Sequence, residues 1–198
     1  MEMALQGVRI LDLTANSPGR YCNWLLGDLG AESIKLERYP LGENSRREAE
    51  GFAGMGASHV LLNRNKKSIL VDLKKGQGKE VYFRLAKAVD VVVEGFRPGV
   101  VDRLGVGYEA TRKVNPKIVY CSITGYGQTG PYRLLPGHDL NYQSFGGVTW
   151  ETGEEGGPPV IPGMNMADWS AGGQNAAIGI LAALLYAQKT GQGQYIDI

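Results

Sequence analysis

Chemistry that needs paired cysteines, histidine clusters or a field of one charge sign finds little to work with in this chain. Its 198 residues include only two cysteines and two histidines. Cys22 and Cys121 sit in the apolar contexts YCNWLL and IVYCSI, so they read as buried, reduced thiols. His59 and His138 are scattered and lack ligand spacing, which argues against a zinc cluster. Twenty-one basic residues against 20 acidic ones leave a net charge of +1. No chain-wide field favours nucleic acid, although a local basic patch could still hold a phosphorylated ligand. The N-terminus, MEMALQGVRILDL, has no basic segment leading into an apolar core, unlike a secretory leader. The longest apolar run, Ala176 to Ala187, is about 12 residues, too short for a bilayer and better suited to a buried helix. No G-x-G-x-x-G follows the first strand, which removes the main signal for a nicotinamide or flavin dinucleotide. These absences predict a cytoplasmic protein with no nucleic-acid, membrane or metal partner.

What is abundant is glycine: 29 residues, spread without a repeat. That suits many tight turns and backbone that must approach something closely. Short β-branched runs at Val8–Leu13, Glu32–Leu36, Ser68–Leu73, Val89–Glu94 and Ile118–Ile123 read as strands. Helical spacing falls between them at Arg20–Leu29, Gly78–Ala88 and Val100–Leu104. Strand, helix and strand within about 30 residues make a βαβ unit. The pattern predicts an α/β fold, a Rossmann-like, doubly wound, mostly parallel open sheet with flanking helices. Residues 37–59 read as a long polar surface loop, and 125–163 as a glycine- and proline-rich segment of the kind that is usually functional. A strongly apolar helix begins near Ser170, and the closing YIDI reads as a strand. A strand is an odd last element, and predicts that the natural protein continues.

Four segments could carry chemistry. TANSPGR, Thr14–Arg20, lies where open α/β sheets bind ligands, although an ordinary βα turn explains it too. LNRNKKS clusters Arg64, Lys66 and Lys67, suited to phosphate or simply to a solvated turn. PGHD places His138 and Asp139 at the entry to a possible short helix, where histidine could be structural or catalytic. NMADWSAGG sets Asp168 before a small-residue run. That aspartate could be a helix N-cap, or a carboxylate tuned by a helix end and by apolar Met164, Met166 and Trp169.

Taken in order, LQGVRILDLT, GDLGAESIKLER, LNRNKKSILVDLK, VVVEGFRPGVVDRLG, NPKIVYCSITGYGQTGPY, GHDLNYQ, ADWSAGG and GILAALLYAQKTGQGQYIDI resemble the class III CoA-transferase family. That family includes formyl-CoA transferase, carnitine CoA-transferase and alpha-methylacyl-CoA racemase. The resemblance covers essentially the whole chain and about the first half of a typical member. It implies that residues 1–198 form a large CoA-binding Rossmann-like domain, with a smaller domain beyond its C-terminus, in an interlocked homodimer. It implies acyl-CoA and carboxylic acid substrates, with coenzyme A as part of the substrate and no permanently bound cofactor.

Carried over by position, Asp168 falls on the family's catalytic aspartate. Arg38, the Asn65 to Ser68 turn with Lys66 and Lys67, and Phe96 with Arg103 fall where members contact the nucleotide and pantetheine parts of CoA. Ser17 falls near the active-site entrance, where formyl-CoA transferases carry glutamine, which argues against formate/oxalate specificity. Gly95 replaces an asparagine that precedes Phe96 in other members, removing one side-chain contact. His138 stands where formyl-CoA transferases carry tyrosine and racemases carry histidine, although some transferases share the GHD-x-NY motif. The resemblance therefore implies CoA transfer through an aspartyl anhydride and an aspartyl-CoA thioester. Its alternatives are a racemase using His138 and Asp168 as an acid–base pair, and a non-catalytic subunit of such an enzyme.

Overall fold

Six of the short apolar runs pair into one sheet in the computed structural model, which describes residues 2–48, 51–52 and 54–198. The strands are β1 (Arg9–Asp12), β2 (Glu32–Arg38), β5 (Lys66–Val71), β6 (Val91–Glu94), β7 (Val119–Ser122) and β8 (Tyr195–Asp197), in the spatial order β5-β2-β1-β6-β7-β8. Every pairing is parallel. Counted along the chain this order is 3-2-1-4-5-6, that of the doubly wound dinucleotide-binding folds. The glycine fingerprint of those folds is absent after β1; the same spacing occurs instead after β7, at Gly125, Gly127 and Gly130.

Side-chain alternation explains why both faces need cover. Ile10, Val91, Val93, Val119 and Cys121 face one layer with Cys22 and Leu26 of α1 (Ser17–Asp28) and Ala176, Ile180 and Leu184 of α7 (Asn175–Thr190). Leu11, Val92 and Tyr120 face the other, with Tyr82 and Ala86 of α3 (Gly76–Ala86) and Val101 of α4 (Val100–Leu104). Both cysteines are buried and unpaired, and burial pushes the Cys22 thiol well up. No helix among the described residues is long and apolar enough to cross a membrane.

Several boundaries move. Helix α1 starts at Ser17 rather than Arg20, with Pro18 in its first turn, where a missing N–H costs nothing. Strand β5 starts at Lys66 rather than Ser68, which takes Lys66 and Lys67 out of the turn and into the sheet. The expected surface loop 37–59 holds a 3-10 turn (Asn44–Arg47), the short hairpin β3 (Gly51–Phe52) and β4 (Met55–Gly56), and the start of α2 (Ala57–Leu62); residues 49, 50 and 53 lie outside the described residues. Buried Glu43, Ser45 and His59 draw this segment inward. Helix α5 (Tyr108–Val114) was not evident in the pattern, whereas α6 (Asp139–Phe145) follows PGH as expected.

Candidate active site

The switch point of the sheet lies between β1 and β6, whose chains leave for opposite sides, and crevices at such points bind ligands outside the carboxyl ends of the strands. A cavity of about 660 Å³ opens there. Its wall comprises Thr14 and Asn16–Arg20 after β1, Gly95–Pro98 after β6, Ile123–Gly127 after β7, His138 and Tyr142 around α6, and Asp168. The loop after β6 is pinned by its own strand, because buried Glu94 accepts the Phe96 N–H at 2.7 Å. Burial pushes the Glu94 carboxyl above its ordinary range, against the hydrogen bonds from Ser122 and the Phe96 amide.

Asp168 belongs to a π-helix, Ala167–Gln174, that runs into α7. Such wide turns are rare and concentrate at functional sites. The N-cap position falls on Met166, so Asp168 is not the cap. Its backbone N–H instead donates to Asp139 Oδ1 at 2.8 Å, which ties the π-helix to α6, and Asp139 Oδ2 accepts from Gln143. The expected apolar shelter is also different: Met164 and Met166 are exposed, whereas Trp169 stacks on Tyr21 with centroids 5.4 Å apart.

Small residues let the π-helix lie against α1. A Cβ on Gly173 would sit 2.7 Å from Tyr21 Cδ1 and 2.9 Å from the Pro18 backbone oxygen. Gly173→Ala should therefore destabilise the fold by about 1–3 kcal/mol, the usual range for overpacking, and push Asp168 away from Ser17. Denaturant unfolding and steady-state kinetics of the variant would show both effects together.

The Asp168 carboxyl is half-buried and held above the ordinary aspartate range. Burial is the first cause and the neighbouring Asp139 carboxylate the second; a hydrogen bond from Ser17 and the charges of His138 and Arg20 oppose them. His138 stands at the start of α6 on the same cavity wall, its backbone N–H donating to Asn141 Oδ1 at 2.9 Å. Tyr142 closes this end by donating its hydroxyl to the Gly137 carbonyl at 2.6 Å.

Of the residues singled out in the sequence, Ser17, Phe96, His138 and Asp168 meet in the cavity wall, and Arg38, Asn65, Lys66, Lys67 and Arg103 do not. Arg38 is exposed at the carboxyl end of β2, and Arg103 is exposed on α4. Asn65 and Lys67 lie at the amino end of β5, in or beside the register of Ser33 and Ile34. Asn65 adopts a left-handed turn (φ 63°). Lys67 pairs with Glu32 at 2.6 Å. The basic cluster is not one open patch: Arg64 pairs with Asp28 and covers the Trp24 ring at 4.0 Å. The side chain of Lys66 is buried, with Nζ 3.0 Å from Asp12, 3.1 Å from Asn63 Oδ1 and 3.3 Å from the Arg20 carbonyl.

Sequence reasoning missed the ionic network that Lys66 joins. Lys35 reaches Glu43 Oε2 at 2.8 Å, Asp12 Oδ2 at 3.6 Å and the Thr14 carbonyl at 2.7 Å. Glu43 Oε1 also meets Arg20 at 3.3 Å, His59 at 3.1 Å and Asn63 at 2.8 Å. Asp12 accepts the Thr14 hydroxyl at 2.6 Å and the Thr14 N–H at 2.8 Å. The network thus shapes the turn beneath the cavity. The available signal was charge inside strand patterns, Asp12 in RILDL and Lys35 in ESIKL. Among the described residues no group of three or more His, Cys, Asp or Glu is arranged to hold a metal ion.

Comparison with known proteins finds relatives along nearly the whole chain. The chain is 44% identical over 194 residues to the succinyl-CoA:glutarate CoA-transferase of Homo sapiens, a match covering 98% of this chain and 44% of that protein. It is 37% identical over 195 residues to the alpha-methylacyl-CoA racemase of Homo sapiens, covering 98% and 47%. The crystal structure of a CAIB/BAIF family protein from Brucella suis superposes with a TM-score of 0.94 at 36% identity, covering 100% of this chain and 53% of that one. The chain spans about half the length of the curated relatives it matches. The model of CoA-transferase family III matches residues 5–198, and the chain belongs to that family.

Proposed function

We propose that this chain supplies the working carboxylate of an enzyme that moves coenzyme A between an acyl-CoA and a carboxylic acid, with Asp168 as the nucleophile. The observation that carries the reading is the position of Asp168: half-buried, fixed through its amide, in the wall of the switch-point cavity. An Asp168 oxygen attacks the thioester carbonyl; the C–O bond forms, the C–S bond breaks, and CoA leaves as the thiolate. The thiolate then attacks the Asp168 carbonyl of the mixed anhydride, forming an aspartyl-CoA thioester and releasing the donor acid as its carboxylate. The acceptor carboxylate repeats these two steps in the opposite sense, ending in a new acyl-CoA and a free Asp168 carboxylate. Covalent catalysis divides one difficult exchange into easier ones. Backbone N–H groups of the glycine-rich loops after β6 and β7 are the candidates for stabilising the oxyanions.

In this reading Ser17 and Phe96 take the pantetheine end of the substrate, and exposed Arg38 and Arg103 take the nucleotide end. Residues 1–198 act as the large CoA-binding domain beside a smaller one, within a homodimer. The name of the human glutarate transferase supports short dicarboxylic acids such as succinate and glutarate as acceptors to try first.

A racemase is the second reading, and one observation favours it: His138 and Asp168 line the same cavity. Two groups of matched basicity on opposite faces of an α-carbon would exchange its proton with inversion. The full-length protein, given a panel of acyl-CoAs and free acids, should produce new acyl-CoA masses. Uptake of solvent deuterium at the α-carbon without acyl exchange would replace transfer by racemisation, and neither product would indicate a non-catalytic subunit.

A further inference from the structure

Three arginines line the cavity, and only one is buried: Arg97 and Arg133 are exposed, whereas Arg20 is 7% exposed. Arg20 follows Ser17 by one turn of α1. A guanidinium carries five N–H donors, yet the partners of this one are few and distant. Its Nη1 reaches Glu43 Oε1 at 3.3 Å and Ser58 Oγ at 3.5 Å. Among the described residues, its Nε is buried with no hydrogen-bond partner. Such an arrangement leaves donor capacity unused in a residue that lines the cavity.

The charge balance behind Arg20 is also uneven. Three cations, Arg20, Lys35 and Lys66, face two carboxylates, Asp12 and Glu43, all with side chains no more than 8% exposed. The nearby Glu37 is committed to Arg46, and His59 adds no negative charge. Among the described residues one positive charge is therefore unmatched inside the network, and a buried charge is costly unless an anion comes within reach. The anion on the same cavity wall is Asp168, and the Arg20 charge opposes, without outweighing, the burial and the Asp139 charge that favour its neutral form.

We propose that Arg20 is the carboxylate-recognition residue of this site, the anchor of the acceptor acid's carboxylate once Asp168 is acylated. The inference rests on the transferase reading above. Acylation turns the Asp168 anion into a neutral anhydride or thioester. With that anion gone from the cavity wall, an entering carboxylate meets the excess positive charge without like-charge repulsion from Asp168. Acceptors are selected as anions, and they bind the acylated enzyme more tightly than the resting one. The bidentate match between guanidinium and carboxylate makes arginine the suited cation.

The test is steady-state acyl exchange by the full-length protein, with succinate and glutarate as acceptor probes, in wild type, Arg20→Gln and Arg20→Lys. The expected result for Arg20→Gln is a tenfold or greater rise in acceptor KM, with the KM for acyl-CoA moving less than threefold. Arg20→Lys, which keeps the charge and loses the fork, should recover part of that loss. An unchanged acceptor KM in Arg20→Gln overturns the proposal, as does an equal rise in both KM values, which a merely structural role would give. Should Arg20→Gln not fold, Arg20→Lys decides: a three- to tenfold rise in acceptor KM alone supports the role, and no change removes it. Wild-type protein that exchanges no acyl group overturns the transferase reading, and the acceptor role with it. Exchange in wild type with an unmoved acceptor KM in the variants overturns Arg20 alone.

Discussion

Asp168→Asn should abolish CoA transfer and make the folded protein more stable at neutral pH. Loss of the nucleophile is expected to lower kcat by about 10³-fold or more, the scale seen when one member of a catalytic unit is removed. The stability gain follows from the direction of its shift. Burial, then the Asp139 carboxylate, raise the Asp168 carboxyl above 3.8 in the folded chain. Between 3.8 and that raised value the folded state holds more protons than the unfolded one, so stability falls as pH rises through the window. Above that raised value the whole penalty is present, and the neutral amide escapes it. Thermal unfolding should therefore give a higher Tm for Asp168→Asn at pH 7, with the gap to wild type closing below pH 3.8. A loss of activity accompanied by a lower Tm would instead mark Asp168 as structural.

The second large effect lies beneath the site. Asp12→Ala strips the carboxylate that Lys35, Lys66 and the Thr14 hydroxyl and N–H share. Removing one partner from a buried ionic group costs about 3–5 kcal/mol, which for a chain of this size lowers Tm by roughly 10 °C. Burial works against the Asp12 anion, but Lys35, then Lys66, then Thr14 outweigh it and hold its carboxyl below 3.8. The sign is thus opposite to that of Asp168: this carboxylate stabilises the fold above pH 3.8, and the contribution is lost as pH falls through the lower folded value. Urea unfolding across that range should show an acid limb in wild type that is reduced in Asp12→Ala. Equal midpoints for the two proteins at pH 7 would remove the network from the account of stability.

Much of the architecture was legible because parallel strands buried on both faces leave near-continuous apolar runs, as VVVE and IVYC do. The meeting of Ser17, Phe96, His138 and Asp168 was legible through the resemblance, since turns after successive parallel strands converge at one edge of the sheet. The π-register around Asp168 was not legible. It depends on how Gly172 and Gly173 pack against Pro18 and Tyr21, contacts between segments some 150 residues apart. Lys66 misled for a related reason. Its neighbours Arg64 and Lys67 are surface cations, and nothing local shows that its own side chain turns inward to Asp12. The segment 37–59 looked like a loop because its polar residues suggest solvent, yet Glu43, Ser45 and His59 are buried in each other's company. Local pattern reports apolar burial well, and reports polar burial only once the partners are known.

The role of Asp168 as a nucleophile is tested most directly by trapping it. Full-length protein incubated with an acyl-CoA, quenched with hydroxylamine and digested should yield the peptide containing Asp168 as its hydroxamate. The same treatment of Asp168→Asn should leave that peptide unmodified. An unmodified wild-type peptide, found while the substrate α-carbon takes up solvent deuterium, would contradict covalent transfer at Asp168.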